Sequence, residues 1–342
     1  MRWALFKVLD GLEQSAAFVV AFTLQRAIGL SRHDAATPTL DDEARKALRD
    51  AYVRCLLADT AWLKTQHSPF KHRFSRPYAQ WLKGFPDFLW DARRVAQRRS
   101  RGDFQQTPPR AANYPAYYRR TFHWQSDGYF TERSAARYDF GVEVLFLGAA
   151  DAMRRQALAR VLERQESNVG VQWLDVACGT GRFASMVRRA RPDINVTGLD
   201  LSAAYLRFAR RIYGHPSMRW KHGDACALPY ADGSFDVVSS IYLLHELPRR
   251  ARFKALAEML RVLRPGGLLL VADSLQDSDA PRLAPLLRAF SRDFHEPFYR
   301  DYCQTPLEPW LQAQVTLEAV ESHTAFVTKI VTARRTTNPA QK

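Results

Sequence analysis

This 342-residue chain predicts an open α/β sheet of parallel strands with helices on both faces, and three observations carry that prediction. Residues 171–181, VQWLDVACGTG, are a β-prone apolar run that ends in Asp175 and passes into a turn of small residues, after which Arg182 to Ala190 reads as a helix. Residues 194–202, INVTGLDLS, repeat the pattern with Asp200 at the strand end and Ser202 placed to cap the next helix. Residues 218–229, MRWKHGDACALP, run a third strand into Asp224. The acids lie 25 and 24 residues apart, one strand-plus-helix period each. That spacing sets all three at the carboxyl ends of adjacent parallel strands, where open α/β sheets bind ligands.

The loop after the first strand brings unpaired backbone N–H groups to a helix start, and its glycines let a ligand approach closely. A nucleoside-bearing cofactor is implied. Two common fingerprints do not fit: Ala177 stands where the first glycine of G-x-G-x-x-G belongs, and no Gly-Lys-Ser/Thr ending follows.

Taken with the segments downstream, the chain resembles the class I S-adenosylmethionine-dependent methyltransferases over roughly residues 135–335. Four motifs fall in the family's order: LDVACGTGRF, GLDLS, GDACALPYADGSFDVVSS and RVLRPGGLLLVADS. The resemblance implies a Rossmann-like, doubly wound, seven-stranded sheet with an antiparallel last strand, and S-adenosylmethionine as cofactor. It implies that Asp200 accepts from the ribose hydroxyls and that Asp224 accepts from the adenine amino group. Ala225 would offer its N–H to the ring, with Leu201 and Ile241 beside the ligand. Ala177, Gly179 and Gly181 would form the loop, and Asp175 either holds the loop amides or lies near the methionine amine. Cys178 reads as a small filler, since no base adjoins it in sequence.

Methyl transfer from a sulfonium is an in-line displacement in which positioning does most of the work. A base is needed only when the acceptor must lose a proton. The segment SSIYLLHELP puts Ser240, Ile241, Tyr242 and His245 at the family's substrate-facing position, and His245 is the candidate base; the competing reading is a histidine that packs over the cofactor or caps backbone. Glu246 is expected to face solvent near Arg249 and Arg250. The box that grips amino groups is replaced by SIYL, no Pro-Cys pair occurs, and the paired-glutamate loop of protein-arginine enzymes is missing. The reading is therefore methylation of an oxygen or carbon on a hydrophobic or aromatic small molecule. Alternatives are an RNA methyltransferase using a basic N-terminal region, and a non-catalytic cofactor-binding regulatory module.

A cap at about 280–312 is expected over the strand ends, where His295, Tyr299 and Tyr302 are candidates to line the acceptor pocket or simply to pack the cap. An aromatic-rich linker and cofactor-covering helix, 111–165, precedes the first strand and makes Tyr129, Ser134 and Tyr138 neighbours of the site by position. The methyltransferase domain is expected over 166–336, and residues 1–110 form a mainly helical extension whose role the sequence does not reveal. Within it, Trp3 to Ile28 and Leu40 to Lys64 read as helices, the second capped by Thr39. Pro69, Pro77, Gly84 and Pro86 are expected to break the chain, and Gly102 to Pro115 reads as a linker.

Composition sets the surroundings. The longest apolar run, Ala16 to Leu24, is less than half the roughly 20 residues a membrane span needs. Asp10 and Glu13 also spoil it as a signal peptide. The four cysteines, at 55, 178, 226 and 303, lack zinc or disulfide spacing, so no metal is expected and a cytoplasmic setting is. The net charge of +15 divides as +9 over residues 1–140 (23 basic, 14 acidic) and +6 over the rest. Such a balance reflects general arginine usage, an anionic membrane surface touched peripherally, or nucleic acid. Without a nucleic-acid box, nucleic acid is the weakest partner and a small apolar acceptor the strongest.

Overall fold

A computed structural model of the chain describes residues 2–27, 40–66, 78–101, 114–119, 125–164, 170–294 and 296–337. The expected sheet is present. Strands β1 (Gln172–Val176), β2 (Asn195–Asp200), β3 (Met218–His222), β4 (Phe235–Ile241), β5 (Leu263–Ser274), β6 (Leu317–Ala325) and β7 (Thr328–Arg335) form one seven-stranded sheet in the order β3-β2-β1-β4-β5-β7-β6. The first five run parallel, and β7 is antiparallel to both β5 and β6. Strand order reverses between β1 and β4, so a crevice opens at their carboxyl ends.

Parallel strands are buried on both faces, and β1 shows how alternation serves two cores. Trp173 packs with Phe183, Met153 and Leu158 on one face, whereas Leu174 and Val176 pack with Leu256, Met259 and Leu269 on the other. The first face is covered by α5 (Ala150–Leu162) and α6 (Arg182–Ala190), which follows β1; the second by α8 (Arg249–Val262), which leads into β5. Between them come α7 (Ala203–Tyr213), capped by Ser202 as expected, and a 3₁₀ turn, Leu244–Glu246, just past β4. The short helices α9 (Ala284–Asp293), α10 (Tyr299–Cys303) and α11 (Leu307–Gln312) fill the stretch between β5 and β6.

Helices α1 (Arg2–Ala27), α2 (Asp42–Thr65), α3 (Tyr78–Arg101) and α4 (Glu132–Leu145) precede the sheet: α2 packs on α5 and β6, α1 and α3 pack on α4, and α4 packs on α7. The α2 cap falls at Asp41, whose carboxylate accepts from the Ala44 N–H at 2.6 Å; Thr39, Pro69, Pro77 and nearly all of the expected linker lie outside the described residues. Gly84 and Pro86, expected as breaks, lie inside continuous α3. Proline removes one helical hydrogen bond, but tertiary packing outweighs it here. At Gly84 a Cβ would come within 3.3 Å of the Ala136 carbonyl, so the missing side chain lets α3 press on α4, while Phe88 meets Phe140 edge-on at 5.0 Å.

Buried ion pairs fasten the early helices to the sheet. Arg155 of α5 donates two hydrogen bonds of 2.7 Å to the carboxylate of Asp59 on α2, with both side chains buried. Asp151, at the start of α5, receives Arg154 at 3.1 Å and is also gripped by Arg182 at the start of α6. Removing one partner of such a pair strands a charge without water, which costs about 3–5 kcal/mol. Asp59→Ala should therefore lower unfolding stability by about that much, while the double change Asp59→Leu with Arg155→Met recovers most of the loss. Urea unfolding of both variants checks this, and equal losses would contradict it.

Candidate active site

At the carboxyl edge of the sheet, each strand-end acid grips neighbouring backbone or a neighbouring hydroxyl. Asp200 accepts from the Gly179 N–H at 2.8 Å with one oxygen and from the Ser202 N–H at 2.7 Å with the other. Asp224 accepts from the Cys226 N–H at 2.8 Å. Asp175 accepts from the Ser239 hydroxyl at 2.9 Å and is almost wholly buried. The acid that holds the loop after β1 is thus Asp200, from the neighbouring strand. Burial pushes the Asp200 carboxyl up to about 6 and the Asp175 carboxyl up to about 7.

The loop itself is bent where the sequence departs from the common pattern. Ala177 has φ 56°, in the left-handed region that favours glycine, and Gly179 follows at φ 55°. A Cβ built on Gly179 meets nothing within 4 Å, so this residue borders open space. Gly181 serves packing instead: a Cβ there would lie 2.5 Å from the Trp220 ring.

Two cavities meet beside this loop. The smaller, about 90 Å³, is lined by Ala177, Gly179, Asp200, Leu201, Asp224, Ala225 and Ile241 from the sheet edge, and is roofed by Tyr117, Tyr118 and Tyr129. Asp175 and Gly181 stand outside its lining. The larger, about 370 Å³, lies within the range of small-molecule sites and has mostly apolar walls, including Val142, Leu145, Phe146, Leu287, Phe290 and Phe326. Gln25 of α1 and Leu48 of α2 belong to the same wall. Tyr138, Tyr242 and Glu246 line both cavities, so the partition between them is three side chains wide.

Tyr242 is held firmly in that partition. Its φ of 58° is a costly conformation for a bulky residue. The strain is offset by its N–H donating to the Ala272 carbonyl at 2.7 Å and by its hydroxyl sharing a hydrogen bond with Thr328 at 2.5 Å.

His245 lies against the larger cavity, buried in the 3₁₀ turn. Its Nδ1 pairs with Asp273 at the end of β5, 2.5 Å away, and Asp273 also accepts from the Leu244 N–H at 2.6 Å and the Ser274 N–H at 2.7 Å. Burial alone would lower the imidazole's pKa, but the Asp273 charge and its hydrogen bond outweigh that and hold it above the ordinary value. The sequence reading missed Asp273 as the partner, although it ends a strand as Asp175, Asp200 and Asp224 do, or nearly do.

Glu246 requires a correction. Instead of facing solvent near Arg249 and Arg250, it turns inward and accepts from the Tyr129 hydroxyl at 2.9 Å, while Arg249 pairs with Asp301 at 2.6 Å. A hydroxyl 117 residues away in sequence outcompetes the arginines one turn off. Tyr299 lines the larger cavity, 5.6 Å from the His245 ring by centroids. Tyr302 stands behind that wall, its hydroxyl donating to the Ser274 carbonyl at 2.6 Å. Ser240 is buried within the sheet, and Ser134 joins Tyr205 at 2.8 Å beneath the tyrosine roof. His295 lies outside the described residues. Cys178 is buried beside Gly198, and burial raises its thiol, as expected of a filler.

Among the described residues no cluster of histidine, cysteine or acid side chains could hold a metal ion. Residues 174–267 match the family model described as a methyltransferase domain. Over 104 residues the chain is 43% identical to the phthiotriol/phenolphthiotriol dimycocerosates methyltransferase 1 of Mycobacterium ulcerans, covering 30% of this chain and 38% of that protein. Over 141 residues it is 38% identical to the demethylmenaquinone methyltransferase of Deinococcus radiodurans, covering 41% and 56%. Over 140 residues it is 34% identical to the ubiquinone/menaquinone biosynthesis C-methyltransferase UbiE of Desulfotalea psychrophila, covering 41% and 54%. The chain thus spans between about two fifths and somewhat over half of these relatives' lengths.

The raised carboxyls give the site a pH signature. Asp175 and Asp200 keep their protons in the folded chain to a higher pH than in the unfolded chain, so between about pH 4 and 7 the folded state holds the extra protons. Their contribution to stability therefore falls as pH rises through that window. Without ligand, Asp200→Asn should gain several degrees of melting temperature relative to the native chain between about pH 4 and 6. An offset that stays constant with pH would contradict the assignment. Strand order, motif spacing and strand-end acids agree with the match of residues 174–267 to a methyltransferase domain.

Proposed function

We propose that this protein transfers a methyl group from S-adenosylmethionine to an oxygen or carbon of an apolar or aromatic small molecule. The observation that supports it best is the contact between a small cavity at the strand ends, which carries Asp200 and Asp224, and a larger apolar one, separated only by Tyr138, Tyr242 and Glu246. The cofactor's sulfonium supplies an activated methyl group; the chain's own residues bind, orient and exclude water.

The smaller cavity suits the cofactor. Each Asp200 oxygen has one backbone partner, which leaves lone pairs for a ribose diol. Asp224 and Ala225 would take the adenine edge, with Leu201 and Ile241 against its faces. Ala177 and Gly179 border the space for the amino-acid end. Asp175 and Gly181 would support the site from behind, the first by bracing β1 on β4 through Ser239 and the second by letting α6 close on Trp220.

His245 would act as the base for an acceptor that must lose a proton. With Nδ1–H donated to Asp273, the tautomer leaves Nε2 as the accepting nitrogen, and the carboxylate stabilises the imidazolium that forms. Tyr242 and Tyr299 would flank an apolar acceptor. Two of the relatives are named for demethylmenaquinone and for phthiotriol dimycocerosates, and a cavity with these walls is in keeping with acceptors of that kind.

The test uses methyl-labelled S-adenosylmethionine with cell extract separated into organic-soluble, polar, RNA and protein fractions. Label should enter the organic-soluble fraction; label in RNA or protein alone would overturn the reading. Asp200→Ala should abolish cofactor binding. His245→Ala should keep binding within a few-fold and lower transfer by about 10²–10⁴-fold. Because His245 must be neutral to accept a proton and its pKa is raised, transfer should climb with pH through a value above the ordinary one for histidine, and that climb should vanish in the variant.

A further inference from the structure

The charged side chains that line the smaller cavity are Asp200, Asp224 and Glu246, all acidic, and every aromatic ring in its lining is a tyrosine. Asp200 and Asp224 have neutral counterparts in the proposed ligand, the ribose diol and the adenine amino group. Glu246 has none, yet it stands where the two cavities meet. Three rings of the same lining gather near it. Tyr129 and Tyr138 lie 6.0 Å apart by centroids and are tilted 74° to one another, and Tyr205 of α7 closes on them at 5.5 and 5.8 Å. Tyr129 is fixed at both ends, its carbonyl accepting from the Ser202 hydroxyl and its own hydroxyl donating to Glu246 at 2.9 Å. Burial raises the Tyr129 and Tyr138 phenols, and the Glu246 charge raises both further, so its field reaches both rings while they stay protonated.

Tyrosine rings set at steep angles around a carboxylate are a receptor for an organic cation. The ring quadrupoles and the carboxylate both attract positive charge, more strongly where water is excluded, and a neutral thioether in the same place gains neither attraction. We propose that Glu246, with Tyr129 and Tyr138, recognises the positive charge of the methyl donor, so that the chain holds S-adenosylmethionine more tightly than S-adenosylhomocysteine. As the acceptor's oxygen or carbon bonds to the methyl carbon, the carbon–sulfur electron pair returns to sulfur and the acceptor's proton goes to His245. The charge that Glu246 grips is then gone, and the contact that favoured the donor no longer retains the product. Because that charge is already fading in the transition state, the contact is stronger in the ground state and serves affinity and exchange of donor for product, with no lowering of the chemical barrier. The inference rests on the proposed reading of the smaller cavity as the S-adenosylmethionine site.

The test is titration calorimetry of the full chain with S-adenosylmethionine, with S-adenosylhomocysteine, and with sinefungin, in which a carbon bearing an ammonium group replaces the sulfonium. The native protein should bind the two charged ligands about tenfold or more tightly than the neutral one. Glu246→Gln keeps the side chain's shape and removes its charge; it should erase most of that preference and leave the affinity for S-adenosylhomocysteine within about twofold. Tyr138→Leu should reduce the preference by about two- to tenfold. Tyr129→Phe breaks the bond to Glu246 but keeps the ring and the carboxylate, so it should retain the preference, which separates charge recognition from a mere latch between roof and turn. Melting temperatures check that each variant is folded, and if Glu246→Gln is not, the native ratio and Tyr138→Leu decide. The proposal is overturned by a native chain that binds S-adenosylhomocysteine as tightly as S-adenosylmethionine or more so, by an unchanged preference in Glu246→Gln, or by variants that weaken all three ligands alike. Binding of none of the three would overturn the reading of the cavity as well, whereas equal binding of charged and neutral ligands contradicts the charge recognition alone.

Discussion

Carboxylates at the carboxyl edge of the sheet, three of them buried and Asp224 half-buried, are the constraint from which the site follows. A carboxylate taken out of water must be surrounded by donors, and here those donors are backbone amides and hydroxyls of the adjoining loops. Asp200 thereby fixes the turn after β1 and the start of α7 together. Asp273 fixes the turn after β4 and presents His245 at a set angle. Asp224 shapes the turn after β3, and Asp175 ties β1 to β4 across the point where strand order reverses. The acids serve the fold and the site with the same contacts, so neither can be altered alone.

The chemistry divides along the wall that these turns create. On the sheet side the cavity is small, carries Asp200 and Asp224 and is roofed by tyrosines; on the helix side it is larger and apolar. Tyr242 belongs to both, in a backbone conformation that a bulky residue adopts only under compulsion. Glu246 belongs to both as well, and its bond from Tyr129 ties the cofactor-side roof to the turn that carries His245. On the proposed reading, such a partition would keep water out of the space where a methyl group moves and set the direction from which an acceptor approaches.

Much of the fold was legible because its signals are local. An apolar run, an acid and a glycine turn repeated at one period suffice to place β1, β2 and β3, and Ser202 announced its helix. What stayed hidden depends on partners distant in sequence. Glu246 was expected outside because only its neighbours Arg249 and Arg250 were in view, and the hydroxyl that draws it inward lies in a segment read by position alone. Continuity of α3 through Pro86 was invisible for the same reason, since only the packing of Phe88 and Gly84 on α4 accounts for it. The walls that α1 and α2 lend to the larger cavity carry no motif, because an apolar wall has no fixed residue pattern.

The most direct measurement is a crystal structure of the protein with S-adenosylhomocysteine. The account predicts the ribose at Asp200, the adenine at Asp224 and Ala225, and the sulfur at the Tyr242 partition, directed toward the apolar cavity and His245. A ligand bound elsewhere, or one whose sulfur points away from that cavity, would contradict it.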